Sequence, residues 1–76
     1  MDGIVTTLDF ELRGEHIALA ALLKASGLAP SGGAVKTMLA NGQVQVNGSA
    51  ESRRGRKLRA GDEIAVGAHR VRVRAP

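Results

Sequence analysis

The chain has 76 residues, enough for one domain with one small core, since a chain this short buries only about 60% of its unfolded surface on folding. It contains no cysteine, and its two histidines lie far apart, so its stability must come from aliphatic packing rather than from disulfides or a metal. The formal net charge of +4 suits RNA, DNA or an anionic membrane surface and does not choose among them.

The chain begins with an alternating pattern typical of a half-buried strand. In residues 4–12 the even positions are mostly apolar, whereas the odd positions include Asp9 and Glu11. In residues 15–26 the pattern changes to leucines at helical spacing among alanines, which predicts a first helix. Gly27 would follow that helix at its C′ position.

A second helix is predicted over residues 32–41. Pro30 breaks the chain before it, and Ser31 stands at the N-cap position, where its hydroxyl can accept a hydrogen bond from the first helical turn. Gly42 ends the helix, because glycine adopts a positive φ without a Cβ penalty. The buried face of this helix is predicted to consist of Ala34, Val35, Met38 and Leu39.

The remainder of the chain is predicted to form short strands joined by tight turns. Two valines alternate with glutamines before Asn47-Gly48, which is the strongest short-range signal for a type I′ hairpin and would start a returning strand near Ser49. The inward-facing positions of the later strands are predicted to be Leu58, Ile64, Val66, Val71 and Val73. This order of elements indicates an α+β fold.

Two turn motifs follow the helix pair at a characteristic separation. The first is Gly-x-Val-x-Val-Asn-Gly at residues 42–48, and the second is Gly-Asp-x-Ile at residues 61–64. Together with Ser31, Ala34 and Leu39 in the second helix, they make the chain resemble the ribosomal-protein S-four-type RNA-binding domain, or alpha-L motif. The resemblance covers residues 16–66 and implies two packed helices followed by a small, mainly antiparallel sheet with an added N-terminal strand.

The resemblance implies a non-catalytic protein that binds structured RNA. Ribosomal RNA is the expected target, transfer RNA or a ribosomal particle would also fit, and no cofactor is implied. The implied interface is a basic groove beside the second helix and the following hairpin loop. Its candidate residues are Ser31, Gly32, Lys36, Gln43, Arg53, Arg54, Arg56 and Lys57.

The chain departs from the family pattern in both helices. Many members carry an arginine directly after the helix-two serine, where this chain has Gly32 and Gly33, and the charged positions of helix one correspond to Ala18 and Ala20. Some of the usual phosphate contacts are therefore absent. Arginine holds phosphate through two parallel hydrogen bonds, so we expect most of the binding energy from Lys36 and the basic cluster in residues 53–59.

The sequence also indicates how RNA would be recognised. Phe10 is the one aromatic residue, and its place on the apolar side of the first strand makes it a core residue rather than a stacking platform. Recognition of phosphate geometry and 2′-hydroxyls in a folded RNA is therefore expected. Three further arginines, at positions 70, 72 and 74, alternate with valines and are interpreted first as the solvent-facing side of a terminal strand.

Other classes of function have less support in the sequence. No catalytic triad order, reactive cysteine or glycine-rich phosphate loop is present, and neither His16 nor His69 has a partner at metal-ligand spacing. The longest apolar stretch, residues 17–23, is far shorter than the roughly 20 residues that span a bilayer. We therefore expect a cytoplasmic monomer that is not an enzyme, binds no metal and does not contact a membrane.

Two competing hypotheses remain open at the level of the sequence. The main one is an adaptor that uses the acidic first strand and its exposed edge for protein contacts. The other is a DNA-binding protein. The second helix has only Lys36 among small or apolar residues, so it has few side chains that could contact base edges in the major groove.

Overall fold

A computed structural model describes residues 6–76, and this part of the chain has an α+β fold, as predicted. Two helices pack against a mixed sheet. The elements in chain order are β1 Thr6–Glu11, β2 Ile17–Ala18, α1 Leu19–Ala25, α2 Gly32–Ala40, β3 Val44–Val46, β4 Ser49–Ala50, β5 Lys57–Leu58, β6 Glu63–Val66 and β7 His69–Arg74.

The described residues form a larger sheet with the strand order β1-β7-β6-β3-β4. Its neighbouring strands are antiparallel, except that β1 runs parallel to β7. The short strands β2 and β5 form a separate antiparallel pair, in which Ile17 lies opposite Leu58. The predicted arrangement, a mainly antiparallel sheet with an added N-terminal strand, is confirmed, and the added strand is an edge strand of the sheet.

One continuous aliphatic core lies between the helices and the larger sheet. A fully buried valine, leucine or isoleucine side chain contributes about 1.5–3 kcal/mol of stability relative to an exposed one. Packing such side chains together can therefore stabilise a small domain without disulfides. Of the inward positions predicted for the later strands, four are buried, and Val66 is partly buried against the core. The core residues are Leu12, Leu19, Leu22, Leu23, Ala29, Val35, Leu39, Val44, Val46, Leu58, Ile64, Val71 and Val73.

The predicted start of the first helix is wrong by about one turn. The helix begins at Leu19 instead of residue 15, because Ile17–Ala18 is extended and pairs with β5. The backbone N–H of Leu19 donates to the Arg56 carbonyl at 2.8 Å, and that of Ala20 donates to the Arg54 carbonyl at 2.9 Å. A distant loop thus satisfies the first helical donors, which a side-chain cap would otherwise do.

The predicted inward face of the first strand is only partly correct. Phe10 packs against the core and Leu12 is buried, but Thr6 and Leu8 are exposed, and Ile4 lies outside the described residues. The reason is the place of β1 at the edge of the sheet. Only toward its C-terminal end, at Phe10 and in the following Leu12, does this segment pack against the core.

Asn47 joins the two turn motifs into one hydrogen-bonded unit. Its φ of 52°, followed by 86° at Gly48, confirms the type I′ hairpin. Its side-chain nitrogen donates to Asp62 Oδ1 at 3.0 Å, and its Oδ1 accepts from the Glu63 N–H at 2.9 Å. Asp62 Oδ2 in turn accepts from the Arg59 N–H at 2.8 Å. The two motifs therefore stabilise each other's geometry.

Candidate nucleic-acid interface

The first candidate surface is a shallow groove beside α2, which we call the α2 groove. It has a volume of about 260 Å³ and is lined by Lys36, Leu39, Ala40, Ser52 and Arg54. Lys36 and Arg54 supply positive charge beside the apolar Leu39 and Ala40. Both side chains are exposed, and no carboxylate of residues 6–76 forms an ion pair with either of them.

Three predicted interface residues lie at the two ends of α2. Ser31 is the N-cap, and its Oγ accepts a hydrogen bond from the Ala34 N–H at 3.2 Å, which confirms its structural role. Gly32 begins the helix, and a Cβ added there would meet no atom within 4 Å. Gln43 is exposed between α2 and β3. None of the three lines the α2 groove.

The second candidate surface is the loop between β4 and β5 with the first residue of β5, residues 51–57, which we call the arginine turn. At its centre lies the carboxylate of Glu51, which is only 8% exposed. Glu51 Oε2 accepts from the backbone N–H groups of Ser52 and Arg53, both at 3.0 Å, and from Arg53 Nε at 3.1 Å. Glu51 Oε1 accepts from Arg53 Nη2 at 3.2 Å and from Arg56 Nη1 at 2.8 Å.

The charge of Glu51 is fixed by these contacts. Hydrogen bonds from the Arg53 side chain, then from Arg56 and from the Arg53 backbone, hold the pKa of Glu51 far below its ordinary value. The same carboxylate raises the pKa of Arg53. The arginine turn therefore contains one permanent negative charge beneath several positive ones, and it remains an ion-paired structure throughout the neutral pH range.

The arginine turn divides its basic side chains between two concave surfaces. Arg54 lines the α2 groove, whereas Arg53, Arg56 and Lys57 line a second concavity of about 430 Å³ together with Gly55. The backbone of the turn is held by the two hydrogen bonds that its carbonyl groups accept from the start of α1. The predicted basic cluster is therefore divided: its first four cations belong to the arginine turn and line two concavities, whereas Arg59 lines neither.

Glu51 is the residue of this surface that sequence reasoning missed. The sequence prediction considered only the positive charges of the cluster, although Glu51 stands two residues before Arg53 and five before Arg56. That spacing is a weak signal, because a glutamate beside arginines is usually a solvated surface residue. Its burial and its five hydrogen bonds depend on the folded loop.

The arginines of β7 lie on a different surface and are engaged in ion pairs. Arg70 and Arg72 lie 3.9 and 3.4 Å from the carboxylate oxygens of Glu63, and Arg74 lies 3.2 Å from that of Asp9. These contacts run across neighbouring strands. The interpretation of these arginines as the polar side of a terminal strand therefore agrees with their contacts.

A third concavity, of about 630 Å³, lies at the C-terminal end of β1. It is lined by Asp9, Phe10, Glu11, Leu12, Arg13 and Ala25. Because acidic and basic side chains are mixed there, this concavity lacks the uniform positive charge that attracts nucleic acid.

Residues 6–76 contain no group of three or more histidine, aspartate or glutamate side chains placed to hold a metal ion. Neither helix of this region is long and apolar enough to cross a membrane.

Comparison with known families now identifies the fold. The family model described as the S4 domain matches residues 10–74. The chain belongs to the S4 domain family. This confirms the family that the two turn motifs and the helix pair indicated. The Asn47-Gly48 hairpin, the Asp62 turn and the arginine turn all lie within the matched S4 region.

Two curated relatives are each 40% identical to this chain over the aligned residues. "Putative RNA-binding protein YbcJ" of Escherichia coli (strain K12) is 40% identical over 58 residues, which are 76% of this chain and 83% of the relative. "Probable ribosome maturation protein RlbA" of Bacillus subtilis (strain 168) is 40% identical over 52 residues, which are 68% of this chain and 73% of the relative. The aligned residues thus make up most of this chain and most of each relative.

Proposed function

We propose that this S4-domain protein binds structured RNA, with ribosomal RNA as the target class, and that it catalyses no reaction on that RNA. The observation that carries the proposal is the position of the α2 groove beside the arginine turn. Lys36 and Arg54 line the groove, and Arg53, Arg56 and Lys57 line the adjoining concavity. The printed names of the two relatives, one for RNA binding and one for ribosome maturation, support the same conclusion.

The chemistry of this surface suits a phosphate backbone rather than separate bases. Guanidinium groups form paired hydrogen bonds with phosphate oxygens, and the lysine ammonium adds a compact charge. Phe10, the one aromatic residue, packs against the core, so it offers no face on which a base could stack. The expected ligand is therefore a folded RNA whose phosphates lie in a defined geometry.

The number of available cations sets the expected salt dependence. Five basic side chains line the two concavities, but two of them share the negative charge of Glu51. Neutralising three to five phosphates gives a slope of log K against log salt of about −3 to −4.5. Between 50 and 200 mM salt, the affinity should then fall by roughly 60- to 500-fold.

The test compares RNA affinity between two double variants that each lose two positive charges. Lys36→Ala/Arg54→Ala removes both cations of the α2 groove, whereas Arg70→Ala/Arg72→Ala removes two cations that are paired with Glu63. Binding to a structured ribosomal RNA fragment is measured over a salt series, with duplex DNA as competitor. The first variant should reduce the slope by about two, and the second by much less.

The outcomes separate the hypotheses clearly. A wild-type protein that prefers structured RNA and loses that preference in the α2-groove variant supports the proposal. Equal losses in both variants would mean that net charge, and not this surface, determines binding. No preference for structured RNA over duplex DNA would refute the proposed function.

The second candidate function is that of a protein adaptor. It is favoured by β1, an edge strand on which Leu8 is 40% exposed, since such an edge can pair with a strand of another protein. Leu8→Lys would then abolish partner binding, while the α2-groove variant would retain it. A protein whose ribosome association survives loss of Lys36 and Arg54 but not the change at Leu8 would be an adaptor.

A further inference from the structure

Glu51 occupies an unexpected place in a surface that is proposed to bind an anion. It lies at the centre of the arginine turn, is 8% exposed, and is the one charged residue within residues 6–76 that is classed with the buried side chains. A carboxylate here reduces the local positive charge and should by itself weaken attraction to RNA. Its five hydrogen bonds, all to groups of the same turn, indicate that it has a different role.

The contacts with Glu51 leave donor groups on both arginines available. A guanidinium carries five N–H donors, of which Arg53 uses two and Arg56 uses one for the carboxylate. Arg53 remains 74% exposed and Arg56 32% exposed, although both are tied to the same buried group. The two guanidinium groups are therefore bonded to one carboxylate and still present donors to solvent.

These two side chains line a concavity of suitable chemistry. Arg53 and Arg56 lie in its wall with Lys57, and Gly55 between them adds no side chain. Three cations against one buried carboxylate give this concavity a net positive charge. A phosphodiester group, which is a compact anion with several acceptor oxygens, matches both the charge and the donors.

We infer that Glu51 is a positioning residue, whose carboxylate holds the Arg53 and Arg56 guanidinium groups as a preformed receptor for one phosphodiester group of RNA. This inference rests on the proposed function and adds a second phosphate site beside the α2 groove. Long arginine side chains lose rotational freedom when they bind a ligand, and this loss opposes binding. Glu51 imposes that order before the RNA arrives, so the two side chains lose less rotational freedom on binding.

The inference makes a prediction opposite to that of simple electrostatics. Glu51→Gln removes a negative charge from the interface, and charge alone would then strengthen RNA binding. If Glu51 positions the two arginines, the affinity should instead fall by about tenfold, because two side chains must be ordered on binding. The salt dependence should also become shallower by about one phosphate contact, although the net charge of the protein has increased.

Glu63→Gln is the matched control. Glu63 also holds two arginines, Arg70 and Arg72, but on the face of β6 and β7. The control removes the same charge and releases the same number of guanidinium groups away from the arginine turn. We expect its RNA affinity to equal or exceed that of the wild type, and a tenfold loss in this variant as well would overturn the inference.

A spectroscopic readout separates positioning from general folding. In the wild type the Arg53 Nε–H should give a protected NMR signal, since it donates to Glu51 at 3.1 Å. In Glu51→Gln this signal should weaken or shift while the backbone amide spectrum of α2 and the larger sheet is retained. An unchanged Arg53 signal together with unchanged RNA affinity would overturn the proposed role.

A second pair of variants keeps the test decisive if Glu51→Gln does not fold. Arg53→Lys retains the positive charge but cannot form the paired contact with Glu51, and Arg53 is largely exposed, so folding should not depend on it. Arg59→Lys is its control, because Arg59 contributes its backbone N–H to the Asp62 turn and its side chain lines neither concavity. Arg53→Lys should weaken RNA binding several-fold and Arg59→Lys should not.

The inference and the proposed function fail in different ways. If the wild type does not prefer structured RNA, the proposed function itself is wrong. If the wild type binds RNA and depends on Lys36 and Arg54, but Glu51→Gln and Arg53→Lys bind as tightly as the wild type, the proposed function stands and the role assigned to Glu51 is wrong.

Discussion

The bridge from Asn47 to the Asp62 turn should account for a measurable part of the stability of this domain. Asn47→Ala removes two side-chain hydrogen bonds, one to Asp62 and one from the Glu63 N–H. It also places a Cβ-bearing residue without a compensating side-chain contact at a φ of 52°. Two exposed hydrogen bonds contribute about 0.5–1 kcal/mol each, and the left-handed conformation costs about 1–2 kcal/mol. The expected loss is about 3 kcal/mol.

A second substitution at the same position separates these two contributions. Asn47→Gly also loses both hydrogen bonds, but glycine accepts the positive φ and loses about 0.4–1 kcal/mol through its freedom in the unfolded chain. We expect a loss of about 2 kcal/mol, so the glycine variant should be more stable than the alanine variant by about 1 kcal/mol. For a domain of this size, that difference is about 4–8 °C in Tm.

The assay is urea and thermal unfolding of the wild type, the two variants and a control, Asn41→Ala. Asn41 is the C-cap of α2, and its side chain forms no hydrogen bond with the described residues, so its replacement should change stability by less than about 0.5 kcal/mol. A loss in Asn47→Gly no larger than in Asn41→Ala would refute the bridge. An alanine variant as stable as the glycine variant would refute the strain argument.

Three further predictions concern the interface, the pH dependence and the core. Gly32→Arg should strengthen RNA binding and steepen the salt dependence by about one contact, because a side chain at this position meets open space; isothermal titration in a salt series checks this. Thermal stability should fall as the pH drops below the ordinary carboxylate range of roughly 4 to 5, because hydrogen bonds lower the pKa of Glu51 in the folded state. Measurements of Tm from pH 7 to 3 check this, and the Tm of Glu51→Gln should depend less on pH. Because the pKa of Glu51 is lower in the folded state, its ionised carboxylate stabilises the fold above that pH range, and protonation removes this stabilisation. Ile64→Val, at a fully buried position of β6, should cost about 0.5–1.5 kcal/mol in urea unfolding without changing RNA affinity.

The pKa of Asp62 should contribute to the same loss of stability in acid. Burial of this carboxyl opposes its ionisation, but hydrogen bonds from the Arg59 N–H and the Asn47 amide outweigh that effect and lower its pKa. Protonation would therefore weaken the connection between the hairpin and the turn that precedes β6. Asp62→Asn tests this directly, since it should reduce the pH dependence of Tm while it retains part of the hydrogen bonding.

Local chemistry by itself determined several features of this protein. Helix α2 was predicted within one residue, because Ser31 and Gly42 carry its start and end signals in their own side chains and backbone freedom. The Asn47-Gly48 turn was predicted for the same reason, since a type I′ turn requires residues that tolerate positive φ. The family followed from the spacing of these local signals, which a linear sequence preserves.

Tertiary structure decided what the local signals do not contain. The start of α1 depends on carbonyl groups from the arginine turn, more than thirty residues later in the chain. The exposure of Leu8 follows from the edge position of β1 and its pairing with β7. Neither contact can be predicted from the pattern of neighbouring residues in the sequence.

The same distinction applies to the candidate interface. The sequence identified the basic residues, because charge is a property of each side chain and folding does not change it for arginine. It did not reveal that Arg54 belongs to the α2 groove while Arg53 and Arg56 share a buried carboxylate, since the loop must fold before Glu51 meets its donors. Composition thus determined which charges the protein has, and the packing of the arginine turn decided which of them are paired with Glu51.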